Sequence, residues 1–163
     1  MHQSPLSVAT IALALCTAAC SRAPSPDDLA KLRKEHAAYT LVANVEKASL
    51  TLSGPDGQKS EVMVESLTRV YLYRLNKADS TRGTAGYFWF VEGSGTFLQV
   101  PYFAVTPAQF SQELSRVASH VQLANLNSRT QEFEQDKFNV CTLWASPGIG
   151  PVQVVKPYTA CER

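Results

Sequence analysis

Three sets of residues in this chain could do chemistry, and their spacing narrows what each could do. The first is sulfur: four cysteines stand at positions 16, 20, 141 and 161, and no two form the C-x-x-C pair that redox or zinc chemistry favours. The second is imidazole. His36 and His120 stand far apart, without H-E-x-x-H or any spacing suited to zinc, and a Ser-His-Asp arrangement would have to draw on one of them with nothing local to single it out. The third set is Glu61, Glu65, Glu92, Glu132, Glu134 and Asp136. Two of these facing each other across a cleft could hydrolyse a glycoside, but most fall at expected turns or on solvent faces. Gly93-Ser94-Gly95 lies between two strand-like runs, so it reads as a turn and not as a nucleophile elbow. No Walker loop and no dinucleotide fingerprint is present. The expectation is a chain with no catalytic residues, no metal site and no cofactor.

The elements that would position these residues are legible in turn. Ser25-Pro26-Asp27-Asp28 has the chemistry of a helix start, with a serine cap, proline at the first helical position and acids in the first turn. The helix should run to about Ala38, and Leu29, Leu32 and His36 give it a narrow stripe that can dock on a sheet. His36 is expected as a half-buried packing residue. Residues 39–52 are β-formers interrupted by Glu46 and Lys47; the turn at 53–57 and the run 61–65 complete a hairpin. In residues 69–75, Val70 and Leu72 alternate with Tyr71, Tyr73 and Leu75, which predicts a strand covered on both sides for most of its length. The polar stretch 76–86 follows as a loop.

Residues 86–91 and 96–105, joined by Glu92-Gly93-Ser94-Gly95, read as a second hairpin. Successive aromatics point to opposite faces of a strand, so Tyr87, Phe88, Trp89 and Phe90 cannot all serve one groove, and core packing is the main expectation. Thr106-Pro107-Ala108-Gln109 then starts the clearest helix, with a capping-box pattern followed by Phe110, Leu114, Val117 and Val121 at helical spacing. His120 lies beside that stripe and is expected on the surface. Residues 125–136 read as a polar connection, 138–144 as a strand, and 152–155 as its partner. The architecture expected is α+β: a mostly antiparallel sheet with one packed helix and a short N-terminal helix.

Charge excludes one class of partner. Fifteen lysines and arginines against fourteen acids give a formal net of +1, and both signs are scattered. The one cluster, Lys31-Leu32-Arg33-Lys34, is offset by Asp27, Asp28 and Glu35. Nucleic acid is not an expected partner.

The N-terminus carries the most specific signal. An apolar run over residues 6–19, too short to span a bilayer comfortably, ends in Ala18-Ala19-Cys20 and gives way to Ser21-Arg22-Ala23-Pro24-Ser25-Pro26. This segment resembles a bacterial lipoprotein signal peptide. The resemblance implies cleavage before Cys20, a diacylglyceryl thioether on its sulfur and an acylated new amino terminus, with residues 1–19 removed, 20–26 as lipidated cysteine and spacer, and 27–163 as a single α+β domain. Two or more acyl chains make such an anchor effectively stable. Ser21 and Arg22 after the cysteine, with no aspartate, imply sorting to the outer membrane, facing the periplasm. With Cys16 removed and Cys20 lipidated, Cys141 and Cys161 remain as a pair in an oxidising compartment, where a disulfide would add roughly 3 kcal/mol.

The function expected is that of a membrane-anchored envelope lipoprotein, a non-enzymatic module that binds a protein partner or supports envelope assembly; a periplasmic inhibitor or immunity protein is the sharper version. Residues 145–151 hold two prolines and two glycines that pin and turn the backbone. With Trp144, Pro147, Ile149 and Tyr158, this loop is the candidate recognition surface, against the plainer reading that Trp144 plugs the core. The alternative class is a small periplasmic hydrolase or a carrier of apolar ligands, which would need two facing carboxylates or a large cavity behind residues 87–90.

Overall fold

Helix α1 (Pro26–His36) begins where the side-chain chemistry dictates. The Ser25 hydroxyl accepts the Asp28 amide at 3.2 Å while the Asp28 carboxylate accepts the Ser25 amide at 3.1 Å, a reciprocal cap worth about 1 kcal/mol. The computed structural model describes residues 24–75 and 86–151. The signal segment expected over 1–19, Cys20, residues 76–85 of the loop expected over 76–86, the strand expected over 152–155, Tyr158 and Cys161 lie outside the described residues; Gly86 begins a strand. No helix among the described residues is long and apolar enough to cross a membrane.

Residues 39–52 form two strands where an interrupted one was expected. β1 (Thr40–Asn44) and β2 (Ser49–Ser53) flank a turn in which the Asn44 side-chain oxygen accepts the Lys47 amide at 3.1 Å and Ala48 takes a left-handed φ of 47°. Glu46 and Lys47, which interrupt the apolar pattern, are the turn itself. β3 (Lys59–Met63) returns antiparallel along β2 and completes a three-stranded sheet in the order β1-β2-β3.

After a 3-10 turn at Val64–Ser66, β4 (Leu67–Leu75), β5 (Gly86–Gly93), β6 (Thr96–Pro101) and β7 (Val140–Ala145) build a second antiparallel sheet in the order β6-β5-β4-β7. The fold is therefore α+β and mostly sheet, as expected, but it has two sheets rather than one. β7 pairs with β4, sequence-distant by more than sixty residues, and the register skips Leu143 as it passes from Tyr71 opposite Thr142 to Val70 opposite Trp144.

One face of the second sheet is the core. Val70, Leu72, Trp89, Val91, Leu98 and Val100 are fully buried there. Helix α2 (Pro107–Val117) lies over it, capped by Thr106 and Gln109 as its sequence requires, and presents Phe110 and Leu114 inward. The Phe110 ring stacks on Trp89 at 4.3 Å between centroids while the same helix packs on β1 and β2, so α2 joins the two sheets. Glu113 on α2 accepts the Ala43 amide at 2.7 Å, and a charged side chain thereby occupies a donor on the β1 edge.

Residues 125–136, expected as a polar connection, contain a third helix, α3 (Leu126–Glu134). Only Thr130 and Phe133 are buried on it, and that stripe is too narrow to register as amphipathic. Phe133 nevertheless reaches Tyr87, Tyr102 and Phe138. α1 also docks differently from expectation: it packs on the 3-10 turn Tyr102–Ala104 that follows β6, not on a sheet.

His36 makes that docking pH-sensitive. It is buried, and its Nδ1 accepts the Phe103 amide at 3.2 Å, which requires an unprotonated nitrogen there. Burial holds the imidazole below its ordinary value of 6.5, partly countered by the neighbouring Glu35. A depressed folded-state value means that the unfolded chain takes the proton first, so stability present above pH 6.5 declines as pH falls through the folded value and then levels off. Thermal unfolding of the full chain should show this slope at mildly acid pH, and His36→Asn, which keeps an acceptor but does not titrate, should flatten it. An unchanged slope in the variant would assign the pH dependence to other groups.

Candidate functional site

The other face of the four-stranded sheet carries the residues that the core does not use. Antiparallel register aligns them in rows across the strands, because directly opposed residues share a face. Phe97, Glu92, Arg69 and Ala145 form the row at one rim; Gln99, Phe90, Tyr71 and Thr142 form the next; Pro101, Phe88, Tyr73 and Val140 form the third. The aromatic run of β5 is thus divided as strand alternation requires. Tyr87 and Trp89 enter the core, and Phe88 and Phe90 take the outer face, half-buried.

Phe90 stands between Tyr71 on β4 and Phe97 on β6, stacked with the first at 4.8 Å and 22° and with the second at 5.0 Å and 16°. Tyr73 meets it edge-on at 6.3 Å. Both faces of the central ring are therefore occupied, and Phe97, at 60 % exposure, is the outermost ring of the stack. Beside it the Arg69 guanidinium donates to both oxygens of Glu92, Nε to Oε2 at 2.7 Å and Nη2 to Oε1 at 2.8 Å. This bidentate pair raises the Arg69 pKa further, the hydrogen bond to Glu92 being the main cause. Burial first, and then the Glu92 charge, pushes the Tyr71 phenol up to about 12, so it is a neutral hydroxyl donor across the physiological range. Tyr71, Phe90, Glu92 and Phe97, with Gly93 and Gly95 of the hairpin, enclose a shallow depression of about 180 Å³.

The loop singled out by sequence meets the same rim. Ala145 is opposite Arg69, the Ser146 amide donates to the Thr68 carbonyl at 2.8 Å, and the Ile149 amide donates to the Ser146 carbonyl at 3.0 Å. Pro147 and Ile149 are exposed there, Ile149 by 41 %. Trp144 parts from them. Opposite Val70 in register, it turns to the helix side, half-buried against the core with His120 edge-on at 6.0 Å. His120 itself is exposed, as expected. Of the four residues proposed for recognition, Pro147 and Ile149 share the rim, Trp144 does not, and Tyr158 is outside the described residues.

The carboxylates considered for acid–base work are dispersed. Glu61 accepts from Ser49 at 2.6 Å, Glu92 holds Arg69, Glu132 holds Arg129 at 3.0 Å, Glu134 accepts from Tyr102 at 2.8 Å, and Asp136 pairs with the buried Arg74. Glu65 is exposed on the turn before β4. The space behind Tyr87 and Trp89 is filled by the rings of Tyr102, Phe110 and Phe133. Among the described residues no three of His, Cys, Asp and Glu come together as a metal-binding group.

Cys141 is buried on β7 and forms no disulfide among the described residues, and burial pushes its thiol pKa up. Its expected partner, Cys161, is outside the described residues. Sequence reasoning missed Tyr71, Phe97 and the Arg69–Glu92 pair. The period-2 alternation around Tyr71 and Phe90 was the available signal, but the register that brings them together was not. No protein-family model, no characterised protein and no solved structure matches the chain.

Proposed function

We propose that this chain is a lipid-anchored envelope protein, held through Cys20 and working as a non-enzymatic module that binds a protein partner at the rim of its four-stranded sheet. The observation that carries the reading is the shared rim. Phe97 at the β5–β6 hairpin and Ile149 in the loop after β7 are two of the few large exposed apolar side chains among the described residues, and the row Phe97, Glu92, Arg69, Ala145 puts both at the same end of one sheet. Three strand spacings separate the ends of that row, about 14 Å. Two exposed apolar side chains on one rim give a partner two places at which to bury apolar surface. The lipid supplies location, and the sheet supplies rigid placement of the anchors.

The test is capture from envelope extracts with the full-length protein, its Cys20→Ala form and its Ile149→Asp form. The native chain should carry the acylated mass on Cys20, partition into detergent and retain a stoichiometric protein partner. Cys20→Ala should lose the acyl mass and the partitioning. Ile149→Asp, at an exposed position, should keep its melting temperature and lose the partner by tenfold or more, about 1.4 kcal/mol. An unacylated native protein removes the anchor, and an unaltered complex with Ile149→Asp removes this rim as the contact.

A further inference from the structure

We propose that helix α1 is an acid-released strap: a proton on His36 frees the helix from the 3-10 turn at Tyr102–Ala104 while both sheets stay folded. The release rests on the docking geometry alone. Its consequence, a longer reach between the domain and the membrane, rests on reading Cys20 as the anchor.

Little besides His36 holds the helix down. His36 is the only buried residue of α1, and Leu29 and Leu32 are half-buried against the core. The opposite side, with Asp27, Lys31, Lys34 and Glu35, is exposed. Eleven residues are too few for a helix to hold itself in water, so α1 owes its order to docking. A titratable side chain therefore stands where an apolar one would have made the contact indifferent to pH.

A proton arriving there meets two obstacles. Nδ1 of His36 accepts the Phe103 amide at 3.2 Å, and the imidazole lies 5.7 Å from the Phe103 ring. The Arg33 guanidinium lies over that same ring, 4.3 Å from its centroid. Protonation turns the acceptor into a second donor facing the amide N–H, and it brings a second cation to a ring that Arg33 already occupies. Both are relieved when the helix leaves and the imidazolium and the amide turn to water. The nearby counter-charges do not reverse this. Glu35 favours the proton, but it is exposed and lies 3.9 Å from Lys31, and burial outweighs it. Tyr102 on the turn donates to Glu134 of α3 at 2.8 Å, which engages that carboxylate, and Tyr39, just past the helix, lies against Gly54.

The place of α1 in the chain gives release its effect. With the helix docked, the tether is residues 20–25, which reach about 20 Å at full extension. With it released, the tether is residues 20–39, which reach about 70 Å. His120, the other described histidine, is exposed, so the cost of protonating imidazole falls on the α1 contact and not on the sheets. Acid would then let the rim that carries Phe97 and Ile149 search farther from the bilayer.

The experiment is amide hydrogen exchange of the full-length protein in detergent micelles at about pH 7.5 and about pH 5, corrected for intrinsic rates, with peptides from residues 26–38 compared with those from β4 and β5. The lower pH lies above the ordinary range of carboxylates, so histidine is the group that changes. Protection over 26–38 should fall by about tenfold or more while the strands keep theirs, and its midpoint should coincide with the titration of the His36 ring carbons followed by NMR. His36→Asn, which keeps an acceptor and does not titrate, should hold its protection at both pH values. If that variant is already unprotected at the higher pH, the coincidence of the two midpoints in the native chain decides. Unchanged protection of 26–38 after the His36 ring has titrated, the same loss in His36→Asn, clearly separate midpoints, or strands that open together with the helix would each overturn the proposal. Release in a chain that carries no acyl group would support the switch and remove its bearing on the membrane.

Discussion

Trp89→Ala should cost the fold about 3–5 kcal/mol, measured by urea unfolding of the full chain in detergent with Trp144 as the remaining fluorophore. The side chain has no exposed surface, and its ring lies between Phe110 of α2 at 4.3 Å and Tyr102 at 5.1 Å. Its indole N–H donates to the Tyr102 carbonyl at 3.1 Å. Truncation therefore removes a large buried surface, leaves a cavity between two rings, and strips a buried carbonyl of its donor. Because total stability is on the order of 5–15 kcal/mol, the variant should lose a large fraction of it. Trp89→Phe, which keeps most of the stack and loses the donor, should cost roughly half as much. A loss below about 1 kcal/mol for Trp89→Ala would mean that α2 is not seated on this sheet in solution.

The second large effect should come from Arg74. Its side chain is 3 % exposed, near the end of β4, where it pairs with Asp136, donates from Nε to Asn139 at 3.0 Å and lies beside the Tyr87 ring. Burial lowers its pKa, although a guanidinium remains charged. Asp136 takes a left-handed φ of 67° just after α3, so this pair ties the strand to the turn that closes the helix. Arg74→Ala leaves a mostly buried carboxylate without its cation, a change that costs about 3–5 kcal/mol when the pair is desolvated. The double change Arg74→Met with Asp136→Asn should recover most of that loss: no unpaired charge remains, and asparagine tolerates the left-handed backbone. Equal losses for the single and double variants would show that the guanidinium acts by its contacts with Asn139 and Tyr87 and not by its charge.

These two positions also mark where the sequence is readable and where it is not. Trp89 belongs to an apolar strand whose alternation is plain, and its burial follows from period 2 once the face is known. Arg74 continues the same alternation, two residues after Leu72, and on pattern alone a charged residue there argues against burial. What reverses the expectation is Asp136, sixty-two positions away on a turn that looked like part of a loop. The same blindness hid α3. Nine residues that include the weak helix formers Asn127, Ser128 and Thr130, with one buried aromatic, give almost no moment, and Phe133 becomes a core residue only because Tyr87, Tyr102 and Phe138 are folded around it.

By itself the sequence determined what short-range chemistry controls. It set the caps at Ser25 and Thr106, the turn at Gly93-Ser94-Gly95, the alternation that sends Trp89 and Phe90 to opposite faces, and the α+β class that these elements add up to. Each depends on groups within about four residues of one another, so each survives being read without a partner. Only tertiary structure decided that the strands divide into two sheets joined by α2, that Glu92 meets Arg69 across twenty-three positions, and that the rings of Tyr71, Phe90 and Phe97 stack on one another. Those juxtapositions depend on strand order and register. Order and register are fixed by the summed burial of the whole core, to which no local segment of the chain gives access.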